Sequence, residues 1–163
     1  RFEGPKKSGR GPAAGPEGLW CQINRSANQK VPEQVKRMNV FGIGTDITET
    51  SRISGMIEKH GEIFLDRVYT PREQEYCGIR KAAVQHYAGR WAAKEAILKS
   101  MGTGWARGIH WTDIEIVNRM GGAPYVELHG EATTVCSELG IEKILISISH
   151  CQQYATAFAT ALS

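Results

Sequence analysis

Two carboxylates and a few basic side chains carry the chemistry this sequence could perform. Asp46 stands in Gly42-Ile43-Gly44-Thr45-Asp46-Ile47, and Glu95 has Arg90, Lys94 and Lys99 around it in the stretch from 88 to 99. Mg²⁺ prefers one or two carboxylates, with water and phosphate oxygens completing its shell. Lys and Arg balance the remaining phosphate charge. Glycine beside Asp46 lets a ligand approach the backbone closely. Each residue also has a plainer reading. Asp46 suits the N-cap of a following helix, and Glu95 with Lys99 has the i,i+4 spacing of an exposed ion pair worth about 0.3 kcal/mol. Gly102-Thr103-Gly104 reads as a helix stop. It is not a P-loop, because GxxxxGK[ST] is absent and that motif precedes a helix. His150, closing Ser147-Ile148-Ser149-His150, reads as a satisfied strand-end histidine rather than a catalyst. No Ser/His/Asp or Cys/His order points to nucleophilic catalysis. Taken one at a time, these residues favour the plainer readings.

The elements that must position them follow from periodicity. A strand is predicted over 40–47 and a helix over 49–59, with Ile53, Met56 and Ile57 on one face and His60-Gly61 ending it. Thr70-Pro71-Arg72-Glu73 is a helix start with N-cap, N1 proline and capping-box glutamate. Ala, Lys, Glu and Leu favour a long helix over 81–101, stopped at Gly102-Thr103-Gly104. The alternation in 113–117 and 125–128, around Gly121-Gly122-Ala123-Pro124, predicts a hairpin. A helix over 131–139 and strands over 143–150 and 154–162 complete the chain. The alanines at 155, 157, 159 and 161 mark one face of the last strand, though they would also suit a helix. The order predicts an α+β fold, a mixed or antiparallel sheet packed against a long Ala-rich helix.

The 163 residues are 41% hydrophobic and 23% charged, enough for a core and too few apolar runs for a membrane span. The net charge of +3 divides unevenly: residues 1–38 carry +5 and four of the six prolines, residues 39–163 carry −2. The basic, Gly/Pro-rich opening is too poor in large apolar groups to offset its ordering entropy. It predicts a flexible extension over 1–38 and a folded domain over 39–163, beginning near Met38. The positive balance therefore gives no warrant for nucleic-acid binding by the folded part. Cysteines 21, 77, 136 and 151 have no metal-ligand spacing. With no apolar stretch of a signal peptide, reduced, packed thiols and a cytoplasmic location are expected.

In combination and order these segments resemble a known family. Gly42 to Glu49, then Phe64, Arg67 and Tyr69-Thr70-Pro71-Arg72-Glu73, resemble the opening of holo-[acyl-carrier-protein] synthases, group I 4′-phosphopantetheinyl transferases. Ala88-Gly89-Arg90-Trp91-Ala92-Ala93-Lys94-Glu95-Ala96 with Lys99 and Gly102-Thr103-Gly104 resembles that family's most specific motif, with Trp91 where Phe is commoner. Gly122-Ala123-Pro124 and Ser147-Ile148-Ser149-His150 complete a resemblance over about 39–163.

The resemblance implies a phosphopantetheinyl transferase-like fold and an enzyme of fatty acid biosynthesis. That enzyme moves the 4′-phosphopantetheine arm of coenzyme A to a serine of apo acyl carrier protein. It implies that Asp46 and Glu95 hold Mg²⁺ against the coenzyme A diphosphate. Glu95, or a metal-bound water it orients, would take the serine proton. Arg90, Lys99, Gly102, Thr103, Gly104, Ser149 and His150 would border coenzyme A. Arg52, Ile53, Met56, Phe64, Arg67 and Trp91 would meet the acidic carrier. It further implies a homotrimer whose sites are shared between chains, with Ser149 and His150 supplied by a neighbour. Two rival readings keep the scaffold: another Mg²⁺-dependent phosphoryl or nucleotide-cleaving enzyme, and a non-catalytic carrier-binding domain.

Overall fold

β1, Val40–Glu49, is the strand on which the rest of the chain is arranged. In this computed structural model residues 37–105 and 107–163 are described; the expectation of a basic extension falls outside them except for Arg37 and Met38. After β1 come α1 (Thr50–Val68), α2 (Pro71–Gly78) and α3 (Ala83–Met101). A 3₁₀ turn at Trp111–Asp113 leads into the hairpin β2 (Ile114–Asn118) and β3 (Pro124–Leu128). α4 (Gly130–Glu138), β4 (Lys143–His150) and β5 (Tyr154–Leu162) finish the chain.

The strands form two sheets, one ordered β1-β5-β4 and the other β2-β3. Every pairing among the described residues is antiparallel. The sheet expected as mixed or antiparallel is therefore wholly antiparallel and split in two. Each strand pair within the sheets joins chain neighbours or the two ends, so no parallel crossover is needed.

α3 fills the centre because its composition lets other backbones come close. Ala88, Ala92, Ala93, Ala96, Ile97 and Leu98 are all buried. A methyl group added at Gly44 would lie 2.0 Å from the Ala96 carbonyl oxygen, and one at Gly42 would lie 2.3 Å from that of Ser100. β1 thus rests on the backbone of α3, at a separation only glycine permits. On β5 Ala155, Ala157, Ala159 and Ala161 are buried against the same core. The alanine stripe that also suited a helix is a strand, its small side chains leaving room for α3. The other sheet face presents Ile43, Ile47, Leu145 and Phe158, each 47–69% exposed.

Local signals placed most boundaries, with three corrections. β1 extends to Glu49, so Asp46 lies within the strand, opposite Ala157, and caps no helix. The first helix is not ended by His60-Gly61. Gly61 adopts φ 53°, ψ −134° and kinks it, after which the helix resumes to Val68. Burial of Phe64 and Val68, 5% and 2% exposed, accounts for the resumption. α3 begins at Ala83, two residues later than expected. The start of α2 is as its sequence predicts: Thr70 Oγ accepts from the Glu73 amide, and a Glu73 carboxylate oxygen accepts from the Thr70 amide at 2.9 Å. Cys77 and Cys136 are buried free thiols, as expected, but Cys151 is exposed. Burial pushes the Cys77 thiol up to about 12, so it stays protonated and unreactive.

Candidate active site

Asp46 stands on β1 and Glu95 on α3, the helix on which that strand rests. Lys99 Nζ, one helical turn beyond Glu95, donates to Asp46 Oδ1 at 2.8 Å and to the Thr45 carbonyl at 3.0 Å. The other Asp46 oxygen accepts from Thr48 Oγ1 at 2.8 Å. The glycine contact with Ala96 and Lys99 Cβ sets this register. Glu95 makes no ion pair with Lys99; its Oε1 accepts from Trp105 Nε1 at 3.4 Å. Gly102, Thr103 and Gly104 carry the chain from the end of α3 to Trp105, and so border this flank. Asp46 already attracts a cation at Oδ1, and a second carboxylate stands on the adjoining helix turn. Such a donor set fits Mg²⁺ completed by water and phosphate oxygens.

A cavity of about 480 Å³ lies beside Glu95, walled by Arg67, Trp91, Trp105 and Trp111 among others; Asp46 does not line it. The aromatic walls form a ladder, with ring centroids 3.8 Å apart for Trp105–Trp111, 4.4 Å for Trp91–Trp111 and 6.0 Å for Phe64–Trp91. A second cavity of about 290 Å³ holds Met56, His60 and Phe64 and shares Arg67, Trp91 and Trp111 with the first. The shared walls make one groove running from the α1 surface to Glu95. Arg52, exposed, stands 5.8 Å over the Trp91 ring. Of the residues expected to meet a partner, Arg52, Met56, Arg67 and Trp91 reach the surface and Phe64 forms the groove floor. Ile53 does not reach it: at 0% exposure it packs beneath the face.

Arg90 and His150 are elsewhere. Five residues before Glu95, Arg90 leaves α3 on another flank, where it is buried, donates to Asn118 Oδ1 at 2.8 Å and lies 4.0 Å over the Tyr76 ring. Its Nε is buried without a hydrogen-bond partner. Arg90, His86, His150 and Gly122 border a cavity of about 170 Å³. The rings of His86 and His150 are 5.1 Å apart. Burial, then the neighbouring His150, Arg80 and Arg90, hold His86 below its ordinary range, so it is neutral near pH 7. Ser149 pairs with Thr156 on the outer sheet face, opposite in sense to His150. Within one chain, Arg90 and His150 therefore line a different cavity from Glu95.

Lys94, expected among the basic groups around Glu95, is wholly buried and turned away. Its Nζ donates to Glu73 at 2.7 Å, to the Val68 carbonyl at 2.7 Å and to the Trp111 carbonyl at 3.0 Å. Burial pulls its pKa down, and the Glu73 carboxylate opposes that. Glu73 also accepts from the Ile116 amide at 3.0 Å. This buried pair ties α1, α2, α3 and β2 together and fixes two walls of the Glu95 groove. Sequence reasoning missed Thr48, Trp105, His86 and Asn118. Only Thr48 had a local signal, since it follows Asp46 by two on a strand and so shares its face.

The profile of the 4′-phosphopantetheinyl transferase superfamily matches residues 42–159. The chain is 52% identical over 119 residues to a holo-[acyl-carrier-protein] synthase of Protochlamydia amoebophila, covering 73% of this chain and 95% of that one. It is similar to the crystal structure of a holo-ACP-synthase from Plasmodium yoelii, with a TM-score of 0.69 and 37% identity over 78% of this chain and 98% of that one. The holo-[acyl-carrier-protein] synthase of Helicobacter pylori, solved in complex with coenzyme A, superposes with a TM-score of 0.64 at 28% identity, over 73% and 98% of the two chains. With its fold and its sequence in agreement, the chain belongs to the holo-[acyl-carrier-protein] synthases of the 4′-phosphopantetheinyl transferase superfamily.

Proposed function

We propose that residues 39–163 form a domain that transfers the 4′-phosphopantetheine arm of coenzyme A to a serine of apo acyl carrier protein. The serine oxygen forms a bond to the β-phosphorus, the diphosphate bridge breaks, and adenosine 3′,5′-bisphosphate leaves. The observation that carries this reading is the groove that connects a partly basic apolar surface to Glu95, beside an Asp46 that already holds a cation. Asp46 and Glu95 would hold Mg²⁺, which stabilises charge on the diphosphate when bound. Glu95 accepts the serine proton or orients the water that does. Lys99 neutralises phosphate charge beside it. Arg52 and Arg67 meet the carrier's acidic surface, and Met56, Phe64 and Trp91 its apolar side chains.

The active unit in this reading is a homotrimer. Arg90 and His150 face away from Glu95 within one chain, and Ile43, Ile47 and Phe158 leave the outer sheet face uncovered. A neighbouring copy would both cover that face and bring Arg90, Ser149 and His150 to the Asp46–Glu95 seam. The reaction belongs to the cytoplasm, where it supplies holo carrier for fatty acid synthesis; among the described residues no helix is long and apolar enough to cross a membrane.

Mass spectrometry of apo carrier protein incubated with the chain, coenzyme A and Mg²⁺ tests the reading. The carrier gains one phosphopantetheine, and chelation, Asp46→Ala or Glu95→Ala each lowers the rate by about 10²-fold or more. Hydrolysis of coenzyme A without carrier would favour a nucleotide-cleaving enzyme instead. Carrier binding with no mass gain would favour a non-catalytic domain.

A further inference from the structure

Lys99 sits where the proposed divalent cation has to bind. Its ammonium occupies Asp46 Oδ1 at 2.8 Å, while Thr48 Oγ1 occupies the other oxygen at 2.8 Å. The lysine side chain is 49% exposed and the aspartate 15%, so the lysine can swing outward while the carboxylate stays held by β1. A divalent cation and an ammonium on one carboxylate oxygen repel at contact distance. A bound diphosphate offers the ammonium another anion on the same flank.

We infer that Lys99 is a resident counter-cation, which holds Asp46 in the ligand-free chain and passes from the carboxylate to the phosphate oxygens when metal and diphosphate bind. The inference rests on the proposed Asp46–Glu95 metal site and adds an order of events to it. No covalent step is involved; one ion pair is exchanged for two. The metal gains Asp46 only as Lys99 leaves, and Lys99 leaves readily only when a diphosphate is there to receive it. Metal and diphosphate therefore favour one another's binding, by the same factor in each direction. Lys99 is a positioning residue in this role, because it acts on the metal through the carboxylate it vacates. Trp105 stands toward Glu95 as Lys99 does toward Asp46, but with a neutral donor at 3.4 Å it opposes a cation far less.

Titration of the full-length chain with Mn²⁺, followed by electron paramagnetic resonance of the free ion, tests this without any turnover. In the absence of coenzyme A, Lys99→Met should bind Mn²⁺ about tenfold tighter than the parent. Lys99→Arg, which keeps the charge, should not. Saturating coenzyme A should tighten Mn²⁺ binding by a larger factor in the parent than in Lys99→Met. A lysine that serves phosphate alone would leave coenzyme A-free Mn²⁺ affinity unchanged on substitution, and a structural lysine would weaken it. Either result overturns the inference, as does any failure to detect a difference between the parent and Lys99→Met. Asp46→Asn separates the two levels of argument. Mn²⁺ binding lost in Asp46→Asn but equal in Lys99→Met and parent rejects the counter-cation alone. Mn²⁺ binding retained in Asp46→Asn rejects the metal site as well.

Discussion

Lys99 bonds to Asp46, although Glu95 stands at the spacing where a helix normally pairs such charges. The i,i+4 rule describes an isolated helix, and it gives way here because β1 lies directly on α3. The glycines that allow this contact were visible in the sequence, but the helix they would touch was not. The same limit hid His86. Its environment comes from burial, His150 on β4, Arg80 in the turn after α2 and Arg90 one turn along α3. Burial and these neighbours place the folded pKa of His86 below 6.5, so below that pH the unfolded chain binds more protons than the folded one. Stability attributable to His86 should thus fall as pH drops below 6.5 and level off once the folded pKa is passed. Urea unfolding at pH 7 and pH 5.5 should show this loss, and His86→Gln should reduce it. An equal loss in both proteins would locate the effect in other groups.

At the scale of elements, local signals worked wherever both partners were close in sequence. The capping box at Thr70 and Glu73 was legible because three residues separate its halves. The second task of Glu73, pairing with buried Lys94, spans 21 residues and left no local trace. Thr70 also donates to Glu115 at 2.6 Å, which extends this polar network to β2. Breaking a buried ion pair strands a charge away from water. Lys94→Met should therefore destabilise the fold by about 3–5 kcal/mol. Lys94→Met combined with Glu73→Leu should recover a substantial part of that, because neither charge is left alone. Denaturant midpoints of the two variants measure the difference, and a double variant no more stable than the single would mean that the backbone acceptors around Lys94 dominate. The kink at Gly61 was misread for a related reason. A glycine after a histidine looks like a helix end locally, while the burial that restarts the helix at Phe64 and Val68 belongs to the core.

Over the whole molecule, the α+β class and the succession of helices and strands along the chain could be read from pattern and resemblance. The placement of Arg90 and Glu95 in different cavities could not, because a sequence does not say which flank of a helix each side chain leaves by. That placement gives the proposed trimer its sharpest test. Ile47→Glu, on the bare outer face, should yield a folded monomer by light scattering that has lost transfer activity. A folded, fully active monomer would refute the shared site. Mixing inactive Asp46→Ala chains with inactive Arg90→Ala chains, after dissociation and reassembly, should restore part of the activity, since some assembled sites would then draw both halves from intact positions. No recovery in verified mixed trimers would confine the complete site to one chain.

α3 presents Glu95 to one cavity and Arg90 to another, on a backbone closely packed against Gly44 and the alanines of β5. In the proposed trimer a single helix would belong to two neighbouring reaction centres at once. Any shift along its axis that widens one centre must be felt in the next, so the three sites of a ring would share their misalignments as well as their parts.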